Sequence, residues 1–530
     1  MNYKILQLKD KLNRIEPYFF YFFLLLNLIP VLSCKFFPTV DGPAHLYNSR
    51  LILELLKDSN SILNDYFIFN VNINPNLTGH VLLSLFLSIF PAFIAEKIVL
   101  LIYLIGLPVS MRYLFNSLSI KNKYLLYLVF PFTYSFLFFY GFYNFNIGLV
   151  LFFWGLGLWV KYLDRMNIKK AIILAFISTL ICLSHLFVFA IFLMIIIFLN
   201  ISYILPKNLY YKKNNKRDIV KLFVLQLLAL SVGLIIAVSY FINSPGHNLD
   251  PEYFSFREII TLLKTVSPAK GINYGKANIF TQWIFYIIVA FLLHFVISKI
   301  LASIKNREYK MRNPLWLIIS SVILILVFII PDGIGTGGFI THRLILFFFL
   351  FLIIGLALQK VNFWFRLVIF TIIIYVNFAL ILHNKKSISD HCEIASEINT
   401  ASEYLEPNST VLPIISSDNF ILNHISNYSG VNKPMIILKN YEATLNYFPL
   451  KWNYEEMPRL LLGDIENDSI CINWASGDNE EKVIDYVFII SDEEKIAEDN
   501  CNQKIYNCLE SCYQLLHEGK SGRVKIYKKI

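Results

Sequence analysis

Apolar runs of about 17–25 residues recur along this chain from Tyr18 to Leu382, the length a helix needs to cross a bilayer's hydrocarbon. In lipid each backbone polar group must be satisfied within its own segment, so such runs have to be helices. Composition agrees. Of the 530 residues, 16% are charged and 56% hydrophobic, whereas a water-exposed fold carries roughly 25% charged residues. The mean hydropathy is +0.56. The expected fold class is a polytopic α-helical membrane protein of about 11–13 spans, followed by a C-terminal soluble α/β domain.

The net charge of +10 does not point to nucleic acid, because the basic residues sit in short loops between apolar runs. Lys4, Lys9, Lys11 and Arg14 predict a cytoplasmic N-terminus. The run Tyr18–Leu32 lacks a small-residue cleavage site and reads as a signal anchor. Basic clusters at Lys161–Lys170, Lys207–Arg217 and Lys299–Arg312 mark cytoplasmic loops two crossings apart. With the cytoplasmic N-terminus placing the loop 35–76 outside, these clusters place His185, the Asn243–Asn278 loop, the Pro331–Arg343 loop and everything after Asn384 on the outer side. Four apolar runs lie between Asp41 and Lys161, where this sidedness needs an odd number. One of the two runs in Leu77–Phe115, broken by Pro91, is therefore expected not to cross.

The domain reading is a multi-span domain over 1–383, with its first outer loop at 35–76, and an extracytoplasmic α/β domain over 384–530. In the latter, Ile388–Leu405 suits a helix, Thr410–Ile415 and Val483–Ser491 suit strands, and Tyr513–Leu516 with Val524–Lys528 suits a hairpin. Of seven cysteines, Cys34 ends the first span and Cys182 lies inside another. Cys392, Cys471, Cys501, Cys508 and Cys512 are C-terminal, permitting disulfides in an oxidising compartment. No cysteine spacing matches a zinc site.

The polar residues that could carry chemistry gather at span ends on the predicted outer side. Asp41 precedes Gly42-Pro43 at the start of an amphipathic pattern, Gly42–Lys57, which reads as a helix along the membrane surface. An Asp there is a favourable N-cap. It is also an interfacial carboxylate, with His45 four residues on along the same face. His80 opens the next apolar run, Asn144 and Asn146 lie between two spans, and His185 sits at a bend. His342 and Arg343 head a late span after the glycine-rich Asp332–Gly338. That stretch lacks the lysine and preceding strand of a nucleotide loop. Arg343 would suit an anionic phosphate, its guanidinium offering fixed bidentate donors, or would anchor the span at the interface. Polar residues collected on one side of a membrane bundle read as a site.

Asp41-Gly-Pro-Ala-His45 after a first span, Gly79-His80, Asn144-Phe-Asn146, Ser184-His185-Leu186, His342-Arg343 and Asp485-Tyr486-Val487 together resemble multi-span glycosyltransferases of the GT-C superfamily. The layout resembles that of the mannosyltransferase and aminoarabinose-transferase branches. The resemblance implies transfer from a polyprenyl-phosphate-linked sugar to a glycan, lipid or protein acceptor, with inversion at the sugar and Asp41 as general base. His45, His80, Asn144, Asn146, His185, His342 and Arg343, with Arg257 and Lys264 as further candidates, would serve the substrate and its lipid phosphate. It implies no required cofactor. The paired acidic residues of better-studied branches are absent, since Gly42 follows Asp41, so no metal ligands are assigned and divalent-metal dependence stays open. The location implied is the plasma (inner) membrane, multi-pass. A transporter or lipid flippase, or a non-catalytic scaffold of the same fold, are the competing readings; a transporter would place its polar groups nearer mid-bilayer in broken helices.

Overall fold

A computed structural model describes residues 3–57, 62–70, 74–204, 216–243, 251–272, 278–304, 313–333, 337–417, 419–458, 479, 481–491 and 509–530. The basic loops near 205–215 and 305–312, the middle of the glycine-rich stretch at 334–336, and Cys471, Cys501 and Cys508 lie outside the described residues. The chain is a polytopic helical membrane protein with a C-terminal sheet. It packs as two compact units: one comprises Met1–Ser33, Leu101–Phe138 and Phe145–Ser387, the other Cys34–Leu100, Phe139–Asn144 and Ile388–Ile530.

Among the described residues, seven helices are long and apolar enough to cross a membrane: Ala92–Ser117, Tyr143–Arg165, Leu186–Ile204, Asp218–Asn243, Ile279–Ile304, Ile340–Ala357 and Phe363–Tyr404. The other apolar runs form shorter or interrupted helices. Thr78–Leu87 has 10 residues and extends only about 15 Å. The expected span at Tyr124–Tyr140 is instead a 3-10 helix, Lys123–Phe132, followed by the short helix Phe136–Phe139. Pro131 lies within that first segment and withholds a backbone N–H from it.

In the first unit, Ile340–Ala357 is buried from Thr341 to Ala357, save for Phe348, as suits a helix apolar on all sides. Helices nearer the periphery expose large apolar side chains. Val220, Val224, Leu227, Ile235 and Val238 do so on one helix, and Ile279, Leu293, Ile297 and Ile300 on another. An exposed stripe of that extent on a helix long and apolar enough to span suits contact with lipid. Small residues let backbones approach: Ser178 Oγ donates to Ala229 O at 2.5 Å and Cys182 Sγ to Gly233 O at 3.3 Å. The buried cation Arg112 is paired bidentately with Glu16 at 2.7 and 2.8 Å.

Among the described residues, the second unit contains seven strands: β1 (Phe67–Phe69), β2 (Thr410–Ser416), β3 (Ile436–Ile437), β4 (Leu450–Trp452), β5 (Tyr486–Ser491), β6 (Tyr513–Glu518) and β7 (Val524–Lys529). β1 and β4 form an antiparallel pair in which Phe67 stacks on Trp452 at 4.5 Å. The others form one sheet of order β3-β2-β5-β7-β6, parallel across β3, β2 and β5 and antiparallel beyond. β5 is buried at every position, as its continuous apolar run requires. Asp485 pins the register, its carboxylate accepting from Thr410 N and Oγ1, both at 2.8 Å.

The helix expected at Ile388–Leu405 is the end of a single 39-residue helix, Phe363–Ala401. Nothing between those residues breaks it, since the stretch holds no Gly or Pro and Lys385-Lys386 are good helix formers. Cys34 and Cys392 form a disulfide, with Cα atoms 5.8 Å apart. Cys182 is a buried free thiol and Cys512 an exposed one.

Candidate active site

The helix Gly42–Lys57 forms as its spacing predicts, but its first two turns are buried on every side, His45 and Asn48 included. The polar face is therefore not solvated. It is the wall of a site inside the second unit. Tyr47 fixes it there, donating to Met435 O at 2.7 Å and accepting from Ile437 N at 3.0 Å. Asn48 and Asn440 exchange amide hydrogen bonds of 2.8 Å in both directions.

Asp41 stands at the entrance to this helix, its carbonyl accepting from His45 N. The amide of Gly42 is capped by Thr39 Oγ1 at 3.1 Å, and the Asp41 carboxylate is turned toward the 420–442 segment. There Tyr441 donates a hydrogen bond to it, and His424 Nε2 lies 3.8 Å away, beyond hydrogen-bond reach. His424 is held by stacking on Tyr441 at 4.3 Å. Burial pushes the Asp41 carboxyl up to about 7; His45 opposes this, Glu442 adds to it and the Tyr441 hydroxyl opposes it. Burial, then the charge of Lys439, push His424 down to about 3, with Glu442 acting against them, so it is neutral near pH 7. Burial likewise lowers Lys439 to about 8.

The backbone behind Asp41 is tied to the segment 139–141: Val40 N donates to Phe139 O at 2.9 Å and Asp41 N to Tyr140 O at 3.1 Å. Gly141 closes that segment with φ +88, and a Cβ there would lie 2.7 Å from Asp41 N. Only glycine fits both the left-handed backbone and the close approach. We expect Gly141→Ala to destabilise the protein by roughly 1–3 kcal/mol and to impair any activity that depends on Asp41. Gly338→Ala is the matched control, because a Cβ there meets nothing within 4 Å. Equal melting temperatures for the two variants would refute the crossing as a constraint.

A second network props the loop from below. Buried Glu96 Oε1 accepts from Tyr428 at 2.8 Å and from Tyr143 at 3.4 Å. Tyr143 in turn shares a hydrogen bond of 3.3 Å with Thr39, the residue that caps Gly42.

His45 and His80 converge on Glu442. His80 Nε2 lies 2.7 Å from Oε2 in hydrogen-bond geometry, and His45 Nδ1 lies 2.6 Å from Oε1 at an angle outside that geometry. Burial alone would raise the Glu442 carboxyl, but the two imidazoles outweigh it and hold it down to about 2. The three side chains offer ligand atoms all within 4.8 Å of one another, a set able to hold a metal ion.

Of the residues expected from the sequence, Asp41, His45, His80 and Asn144 thus fall in the second unit. Asn144 works within the fold: its Oδ1 accepts from Gly79 N at 2.6 Å and its Nδ2 donates to Asn76 O at 2.8 Å, which sets the turn carrying His80. Asn146, His185, His342 and Arg343 belong to the first unit. There Phe145 is met edge-on by His185 at 5.4 Å and covered by the Arg343 guanidinium at 5.4 Å. His342 packs against Phe136 and Phe254. The Asn146 amide is buried with no hydrogen-bond partner among the described residues. Glu442, His424, Tyr441, Lys439, Glu96 and Tyr428 carry no motif that the sequence reading weighed.

No family model and no curated protein matches the sequence. A solved structure, that of ArnT from Cupriavidus metallidurans in the apo state, aligns with 97% of this chain and 98% of its own, at 9% identity and a TM-score of 0.40. At that score the likeness decides neither fold nor chemistry.

Proposed function

We propose that this protein is an integral-membrane glycosyltransferase that moves a sugar from a polyprenyl-phosphate donor to an extracytoplasmic acceptor, with Asp41 as general base. The observation that carries the reading is the Asp41 carboxyl itself: buried, turned away from its own helix, and pushed up to about 7. A base whose pKa sits near the working pH is the one that best abstracts a proton as the acceptor attacks. The neutral His424 leaves it free of a full ion pair. The Cys34–Cys392 bond supports an oxidising, outer location for the loop and for the C-terminal domain from residue 384, with the N-terminus cytoplasmic.

In this reading the acceptor gives its proton to Asp41 as its oxygen or nitrogen attacks the anomeric carbon. The bond to the lipid phosphate breaks in line, inverting the centre. The leaving phosphate then needs cationic and hydrogen-bonding partners, a role we assign by chemistry alone to Arg343, His342, His185 and Asn146.

The test is consumption of a labelled polyprenyl-phospho-sugar in proteoliposomes, with release of polyprenyl phosphate. Movement of the label across the bilayer without its release would favour a transporter instead. Asp41 must be ionised to act, so kcat/KM should rise about tenfold per unit as pH increases toward 7 and level off above it. A profile flat from pH 5 to pH 8, on the order of that window, would remove Asp41 as the base.

A further inference from the structure

We propose that His45, His80 and Glu442 form a mononuclear metal site whose donor set best suits Zn2+. The three ligands come from separate parts of the chain, the helix Gly42–Lys57, the helix Thr78–Leu87 and the turn Tyr441–Thr444. All are buried, with His80 and Glu442 each 1% exposed. Among the described residues, the two imidazoles are the ion-pairing partners of Glu442. Two atoms at the centre, His45 Nδ1 and Glu442 Oε1, approach to 2.6 Å yet satisfy no directed hydrogen bond.

The chemistry of the set narrows the ion to a divalent transition metal. Two imidazole nitrogens and one carboxylate oxygen suit Zn2+ and leave a fourth position for water or an anion. Mg2+ and Ca2+ prefer oxygen-only shells. Ligand atoms around tetrahedral zinc stand about 3.3 Å apart, and the ligand atoms here lie within 4.8 Å of one another, so shifts on the order of 1–2 Å bring them to that spacing. Phe448 packs on both rings, at 6.0 Å from His45 and 5.6 Å from His80, and the rings meet edge-to-face at 5.1 Å. That apolar wall holds the imidazoles in orientation and limits water, as the surroundings of a metal site do. A bound ion would cross-link three segments brought together only by folding, so it would stabilise the folded state.

This inference does not depend on sugar transfer, and its test does not measure it. The full-length protein in detergent, stripped with chelator, is titrated with Co2+ and followed by its visible ligand-field absorption, and then challenged with Zn2+. We expect saturation at one equivalent, displacement by Zn2+, and a higher melting temperature on adding Zn2+ alone. His80→Ala and Glu442→Gln should weaken Co2+ binding by roughly tenfold or more. Wild-type protein that shows neither a saturable band nor a thermal shift overturns the site, whatever the variants do. Variants that bind Co2+ as tightly as wild type overturn it as well, since the metal would then lie elsewhere.

Discussion

Replacing Asp41 by Asn is expected to cost about 10²–10⁴-fold in kcat for sugar transfer while making the protein more stable at alkaline pH. The two effects have one cause. The folded carboxyl titrates at about 7 against 3.8 in the unfolded chain, chiefly because burial disfavours its charge. The folded state therefore holds a proton that the unfolded state has lost across that window, and stability falls as pH rises from about 4 to about 7. The full penalty, reached above pH 7, is on the order of 4 kcal/mol. Asn cannot ionise, still accepts from Tyr441, and so escapes it. Melting curves in detergent at several pH values should show the variant gaining on wild type as pH rises, with the difference vanishing toward about pH 4. Loss of activity accompanied by a uniform loss of stability would mean that Asp41 is a structural cap and not a buried base.

How much of this was legible in the sequence depends on the range of the interaction. The helix Gly42–Lys57 follows from apolar residues at helical spacing after Asp-Gly-Pro, and the β6–β7 pairing follows from two alternating runs around a turn. Asp41 and His45 share a helix face, so their proximity is also local information. Glu442 is different. It lies 397 positions from His45 and 362 from His80, in a polar stretch with no periodicity to mark it. The available signal was a single acidic residue set among aromatics, Tyr441, Tyr447 and Phe448, and that pattern alone does not separate a ligand from a surface charge. Asn144 is the converse case. Its type suggested a substrate contact, whereas both ends of its amide are spent on the backbone of Asn76 and Gly79. The 39-residue helix was readable in principle, because a charge run interrupts hydropathy but not helicity.

The Cys34–Cys392 disulfide is the other long-range element, and breaking it should have the second-largest effect. Its partners are 358 positions apart. For a random unfolded chain, the entropy of closing so long a loop would amount to roughly 6 kcal/mol. A membrane protein's unfolded state keeps much of its helix, which shortens the effective loop. We therefore expect the Cys34→Ser/Cys392→Ser double variant to lose about 2–4 kcal/mol. Cys34 lies seven positions before Asp41, so the loop that carries the carboxylate loses a tether together with the stability. Transfer should consequently fall in the double variant, through a looser Asp41, even at temperatures where the protein remains folded. The expected pattern is a lowered melting temperature, with reductant reproducing it in wild type and having no further effect on the variant. Cys512→Ser, which removes an exposed free thiol, should leave both readouts unchanged. If reductant leaves wild-type stability and transfer intact, the bond contributes nothing to holding the Asp41 loop, and the site is positioned by Gly141 and the Glu96 network alone.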